Sequence, residues 1–200
     1  MDAADLDPDP FVQFGQWLDD AVTAGLPEPM AMALATAGAD ARPLARFVLL
    51  KGADRDGFVW FTNYESRKGA HLIVNPYASL VFPWYPLKRQ VVVTGTVARV
   101  PEAESDAYFA SRDRWSQLGA WASEQSRVIA DRSVLDGRME DAIARYEGMT
   151  VPRPPYWGGY RLAPDAIEFW VSQPNRLHDR LRYVPDTAAL TGWRIDRLAP

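Results

Sequence analysis

Apolar residues recur along this chain at two periods. Between Pro10 and Leu26, Phe11, Phe14, Trp17, Leu18 and Val22 fall at helical spacing and predict an amphipathic helix. Pro10 suits its first turn and Gly25 its C-terminal stop. Short β-type runs follow at Met30–Thr36, Leu44–Lys51 and Phe58–Asn63. Polar turns at Gly38-Ala39-Asp40 and Asp54-Arg55-Asp56-Gly57 separate them, the pattern of an antiparallel meander. Ser79–Trp84 and Gln90–Val100 predict a long hairpin around Tyr85-Pro86-Leu87-Lys88. Its second arm alternates only in part, as a strand buried on both faces would. The last strands are predicted at Tyr156–Leu162, Ala166–Val171, Arg176–Val184 and Trp193–Leu198, with a loop over Asp186–Gly192.

Helices interrupt this β pattern. Ser66 can cap a short helix that Pro76 ends after Asn75. Pro101 opens another, with Glu102 and Glu104 in the first turn as the helix dipole favours. Asp131–Glu147 predicts a third, stopped at Gly148, and Val151-Pro152-Arg153-Pro154-Pro155 an extended connector. About eight mostly antiparallel strands with helices inserted indicate a mainly β, α+β fold: a closed or nearly closed barrel with peripheral helices. A single domain over residues 1–200 is expected, with residues 1–8 flexible.

Composition narrows the function. Hydrophobic residues make up 48% of the 200, which excludes a disordered chain. A net charge of −4 argues against a general nucleic-acid binder, so a phosphate site must be a local cluster in an acidic protein. The absence of cysteine excludes disulfides, zinc-thiolate sites and thiol catalysis, and suits a reducing cytoplasm. The acidic, Pro-punctuated start is unlike a signal peptide, and no apolar run reaches membrane-spanning length. There is no Gly-rich phosphate loop after a strand, so a Rossmann-type dinucleotide site is not expected.

Three clusters carry candidate chemistry. In Arg176-Leu177-His178-Asp179-Arg180, read as a strand, Arg176, His178 and Arg180 share one face. Two guanidiniums and an imidazole side by side call for an anion, and with Phe169 and Trp170 upstream they suit a phosphorylated aromatic ligand. A solvated strand edge is the alternative. Arg67 and Lys68 sit in the first turn of the Ser66 helix, where cations are unfavourable unless an anion binds there too; two surface cations would look the same. Tyr108, Arg112 and Ser116 lie four apart and, on one continuous helix, would form a phosphate cradle or simply an amphipathic face. Gln90 reads as a turn residue rather than a ligand contact.

The stretches RFVLLK (46–51), FTNYESRKGAHL (61–72), FPW (82–84), RQVVVTG (89–95), SQLGAW (116–121), EQS (124–126), YWGGYRL (156–162), EFW (168–170), RLHDR (176–180) and WRIDRLAP (193–200) resemble the pyridoxamine 5′-phosphate oxidase family of vitamin B6 metabolism. The resemblance runs from about Asp9 to Pro200. It implies an FMN-binding split β-barrel working as a cytoplasmic homodimer, with two FMN sites at the subunit interface. It implies oxidation of pyridoxamine or pyridoxine 5′-phosphate to pyridoxal 5′-phosphate, with oxygen as acceptor and hydrogen peroxide released. The implied FMN contacts are Arg46, Phe47, Val48, Leu49, Leu50, Lys51, Phe61, Thr62, Arg67, Lys68, Gln90, Gln125, Ser126, Trp170 and Arg180. The implied substrate contacts are Lys51, Tyr108, Arg112, Ser116, Arg176 and His178, with Arg176 and His178 as the catalytic pair. On this reading Gln90 is a ligand contact after all.

The chain departs from the family pattern at several places. Phe61 stands where Tyr is frequent, Asp113 where Pro usually follows the arginine, and Trp115 where a small or polar residue is usual. An acid and a bulky ring beside the phosphate cradle are expected to alter phosphate recognition. Longer members carry a basic N-terminal segment that can cover the substrate; here that lid is expected to be absent or supplied otherwise. Two other readings compete. One is a flavin or deazaflavin oxidoreductase on the same barrel, acting on another ring such as a phenazine precursor. The other is a non-enzymatic protein that stores FMN or pyridoxal phosphate.

Overall fold

A computed structural model describes all residues, Met1–Pro200. Asp9 accepts a hydrogen bond from the Phe11 N–H and caps helix α1 (Pro10–Thr23), and Gly25 ends it in the left-handed region at φ 69°. Strands β1 (Ala31–Ala37) and β2 (Pro43–Leu49) form the first antiparallel pair, with Leu34 opposite Arg46. Short β3 (Gly52–Asp54) turns through Gly57 into β4 (Gly57–Asn63). Helix α2 (Arg67–Val74) follows, capped by Ser66 as expected. Strands β5 (Tyr77–Trp84) and β6 (Arg89–Arg99) are the long hairpin. Helices α3 (Glu102–Ser111), α4 (Arg114–Ala122) and α5 (Arg132–Arg145) precede β7 (Trp157–Val171), β8 (Asp179–Pro185) and β9 (Trp193–Arg197).

All nine strands join one antiparallel sheet, ordered β2-β1-β5-β6-β7-β4-β3 with β8 and β9 continuing from β7. The path begins at β2 and ends at β3, and Leu50-Lys51 links those two ends covalently. The sheet is thus curled into a nearly closed barrel. Its pivot is β7. The first half of β7 pairs with β4 and the second half with β8, while β6 runs beside both. The two segments expected at Tyr156–Leu162 and Ala166–Val171 are therefore one strand, taken past Ala163-Pro164-Asp165 by a register shift opposite Thr94 and Gly95. Gly95 is required there, because a Cβ would lie 2.1 Å from the Ala163 carbonyl oxygen.

The core is aromatic. Phe14 of α1 meets Phe58 edge-on at 5.0 Å and Phe82 at 4.9 Å, and Trp17 meets Phe169 at 5.0 Å, so α1 seals one side of the barrel. A smaller core around Phe109, Leu118, Tyr146 and Trp157 fixes α3, α4 and α5 to the start of β7. The N-terminal residues lie against β8 and β9, where Arg197 binds Asp2 and the Tyr183 hydroxyl donates to the Asp7 carbonyl.

Two expected elements differ. The cradle helix breaks: Arg112 is extended at φ −74°, ψ 152°, and Asp113 starts α4 by accepting the Ser116 N–H at 2.9 Å. A short acceptor that can satisfy an orphan helix N–H favours a new cap over continuation. Arg176 and His178 are not on a strand either. Pro174 begins a single tight turn, Asn175 and Arg176 take φ of 57° and 62°, and β8 begins only at Asp179. The alternation placing Arg176, His178 and Arg180 on one strand face does not hold.

Phe14 is almost wholly buried among three rings of strands β4 and β5. We expect Phe14→Ala to destabilise the fold by about 3–5 kcal/mol, the usual cost of truncating a buried phenylalanine. A urea midpoint unchanged from the parent would show that α1 is not part of the cooperative core.

Candidate active site

A cavity of about 780 Å³ opens between β2, β4, α3, α4 and the start of β7. One end is cationic. Lys68, in the first turn of α2, is folded back and buried, donating to Thr62 Oγ1 (3.0 Å), Ser66 Oγ (3.2 Å) and Gln125 Oε1 (2.8 Å). Burial, and then the nearby Arg46 guanidinium, push the Lys68 ammonium down to about 8. Arg46 is also lowered, by burial first and by Arg67 second. Its Nη1 donates to the Leu34 carbonyl (3.0 Å) and Thr36 Oγ1 (2.8 Å), whereas Nη2 is buried with no partner.

The other end holds Lys51, Tyr108, Arg112 and Ser116. The helix break does not disperse them, because the extended Arg112 turns its side chain onto the Trp157 ring at 4.8 Å. Arg112 Nη1 is likewise buried and unpartnered, and burial lowers the guanidinium while Tyr108 and Asp113 oppose that shift. The Lys51 ammonium stands 5.7 Å from the Tyr108 ring centre. Asp113 faces the same space, but its carboxylate is held by Ser116, whose hydrogen bonds keep it below the usual carboxylate range. Trp115 is largely exposed and does not line the cavity.

Between the two ends is a wall of near-parallel rings. Phe61 stacks on Tyr108 at 4.0 Å and lies 5.6 Å from Trp157 at 12°. No salt bridge engages Arg46, Lys51, Arg67, Lys68 or Arg112, although most other arginines of the chain are paired. Buried donors that lack acceptors at both ends of one cavity are the arrangement an elongated dianionic or bis-anionic ligand would complete. FMN fits the end at Lys68: donor-only side chains for a phosphate, and flat apolar rings beside it.

Of the residues expected from sequence, Arg46, Phe47, Val48, Leu49, Lys51, Phe61, Thr62, Lys68, Tyr108, Arg112, Ser116 and Gln125 line this cavity. Leu50 is buried in the barrel core instead. Arg67 and Ser126 stand beside the cavity, joined by a bond from the Arg67 N–H to Ser126 Oγ. Gln90, Trp170, Arg176, His178 and Arg180 are elsewhere, along the β6–β7–β8 edge. There Trp170 packs on the His178 ring at 4.7 Å, and the Gln173 N–H donates to His178 Nδ1, which leaves the neutral ring's proton on Nε2. Arg180 is clamped by Glu168 at 2.7 and 3.0 Å and also donates to the Ala199 carbonyl. Sequence reasoning missed Trp157 and Asn63 as cavity residues and Thr36 behind Arg46. Trp157 had a signal, an aromatic ahead of two adjacent glycines; Thr36 had none.

Comparison with known proteins places this geometry. Residues 18–146 match the family model "Pyridoxamine 5'-phosphate oxidase", and residues 157–200 match "Pyridoxine 5'-phosphate oxidase C-terminal dimerisation region". The chain is 58% identical over 200 residues to the pyridoxine/pyridoxamine 5′-phosphate oxidase of Burkholderia vietnamiensis, covering all of this chain and 93% of that one. The corresponding protein of Burkholderia mallei is 57% identical with the same coverage. PhzG from Burkholderia lata, solved in complex with tetrahydrophenazine-1-carboxylic acid, superposes with a TM-score of 0.89 at 34% identity, over 97% of this chain and 95% of that one. A pyridoxamine 5′-phosphate oxidase-related, FMN-binding protein of Nostoc punctiforme shares the split-barrel fold, with a TM-score of 0.73 at 15% identity over 98% and 99% of the two chains. The chain belongs to the pyridoxine/pyridoxamine 5′-phosphate oxidase family.

Proposed function

We propose that this protein is an FMN-dependent oxidase that converts pyridoxamine or pyridoxine 5′-phosphate to pyridoxal 5′-phosphate, passing electrons to oxygen and releasing hydrogen peroxide. The observation that carries the reading is the pair of unpartnered buried guanidinium nitrogens, Arg46 Nη2 and Arg112 Nη1, at the two ends of one ring-lined cavity. Arg46, Arg67, Lys68, Thr62 and Gln125 would hold the flavin phosphate, and Lys51, Tyr108, Arg112 and Ser116 the substrate phosphate. FMN, once bound, supplies the hydride acceptor. The protein's own part is then to fix distance and charge, for which no nucleophile is needed. A cysteine-free chain suits work in a reducing cytoplasm.

The distribution of the remaining residues supports a homodimer with composite sites. Arg176 and His178 lie outside the cavity of their own chain, within the C-terminal segment that matches the dimerisation-region model. In the dimer we propose, this segment caps the cavity of the second copy. His178 would offer Nε2–H to the substrate, Arg176 would lie flat over its ring, and Arg180, held rigid by Glu168, would face the flavin with Gln90 and Trp170. A second reading, oxidation of a phenazine precursor, draws on the likeness to PhzG, because an Arg–Lys–Ser cradle accepts a carboxylate as well as a phosphate. The curated relatives at 57–58% identity favour the B6 substrate.

Incubating the FMN-loaded protein aerobically with pyridoxamine 5′-phosphate should yield pyridoxal 5′-phosphate and peroxide in equal amounts. Turnover of a dihydrophenazine carboxylate with none of the B6 phosphates would decide for the second reading. Composite sites predict complementation. Arg112→Ala and Arg176→Ala homodimers should each be nearly inactive, yet co-expression should restore about a quarter of parent activity, since half the dimers are hybrids with one intact site each. Failure to complement would place Arg112 and Arg176 in one chain's site.

Lys68 makes the flavin site pH-sensitive. Its folded value of about 8 lies below the ordinary 10.5, so between these values the unfolded chain binds more protons. The stability of the flavin-free protein should therefore rise with pH across that window. A phosphate dianion beside Lys68 reverses the shift, so FMN binding near pH 8 should take up about half a proton per site. Calorimetry in buffers of different ionisation heat measures this uptake, and Lys68→Met should abolish it.

A further inference from the structure

Arg46 does not hold its own position. It leaves β2 and reaches back over β1, where Nη1 divides between the Leu34 carbonyl and Thr36 Oγ1. Arginine has no acceptor, so at the 2.8 Å contact Thr36 must accept. The hydroxyl proton is then free for a second partner, and His71 Nδ1 lies 3.1 Å from the same oxygen. Thr36 is buried, so this short chain of bonds is shielded from water. His71 belongs to the last turn of α2, the helix whose first turn carries Arg67 and Lys68. Gly38 leaves room for the ring, since a Cβ there would approach His71 Cδ2 to 3.2 Å. Helix α2 thus reaches the cationic end of the cavity twice: directly at its start, and through His71, Thr36 and Arg46 at its finish.

The geometry points to Thr36 and His71 as positioning residues for Arg46. We propose that they aim the unpartnered Nη2 at the flavin phosphate and so set the preference for FMN over unphosphorylated riboflavin. A guanidinium tied at one nitrogen can rotate only about that tie. With Thr36 and Leu34 both engaged, Nη1 is fixed and Nη2 is left as the donor turned to the ligand. Without the hydroxyl, one tie remains and the guanidinium has other rotamers to populate, which weakens a charge-assisted bond that depends on direction.

The inference rests on the flavin reading above, and the test separates the two. Flavin-free protein is titrated with FMN and with riboflavin, following flavin fluorescence. Thr36→Val keeps the shape and removes the hydroxyl. It should weaken FMN on the order of tenfold while leaving riboflavin unchanged, so the affinity ratio falls by the same factor. Thr36→Ser should return the ratio to within about threefold of the parent. His71→Ala, at the far end of the chain of bonds, should lower the ratio about threefold and gives the same readout if Thr36→Val does not fold. A purely structural role would weaken both ligands together and would overturn the inference, as would a ratio unchanged in both variants. Parent protein that binds neither flavin would overturn the flavin reading and this inference with it.

Discussion

The structure is organised around positive charge that the chain itself does not neutralise. Arg46, Arg67 and Lys68 converge at one end of the cavity and Lys51 and Arg112 at the other, none in a salt bridge. Like charges in a partly buried site repel and lose hydration, which is why burial lowers Lys68 and Arg46. The fold carries that cost because packing elsewhere is tight. The aromatic core around Phe14, Phe58, Phe82 and Trp84 and the long β6–β7 ladder hold the walls in place without help from the site. A bound anion would convert that local weakness into affinity, since each buried donor would gain the acceptor it lacks.

The barrel delivers these groups from distant parts of the chain. Residue β2 Arg46 is set by β1 Thr36, Lys68 by the start of α2, Gln125 by the loop after α4, and Arg112 by the break between α3 and α4. On a continuous helix Arg112 would have stacked in line with Tyr108; extended, it reaches Trp157 and leaves one nitrogen buried without a partner. Asp113 makes the break by capping α4. Its carboxylate is thereby engaged with Ser116 inside the cradle, so the same residue shapes the site and competes for one of its donors.

Much of this was legible in the sequence because it is local. The helical stripe of α1, the Ser66 cap and the hairpin around Tyr85-Pro86-Leu87-Lys88 depend on residues within a few positions of each other, and they formed as periodicity and capping require. The clustering of Arg67 and Lys68 at a helix start was readable for the same reason. The resemblance to the oxidase family added the residues that local physics could not connect, from Arg46 to Gln125.

By itself, then, the sequence determined the elements, the mainly β class and the presence of clustered cationic groups. Only the tertiary structure decided which of them share a cavity. Arg176 and His178 read as a strand face, but Pro174 and two left-handed residues delay β8 to Asp179, and the pair sits on an edge away from its own chain's cavity. Side-chain alternation presumes a pairing partner, and pairing is set by residues far off in sequence. Likewise nothing near Thr36 in the sequence marks it. It gains its role because β1 and β2 pair in the register that puts Leu34 opposite Arg46, and because α2 packs His71 behind the same hydroxyl.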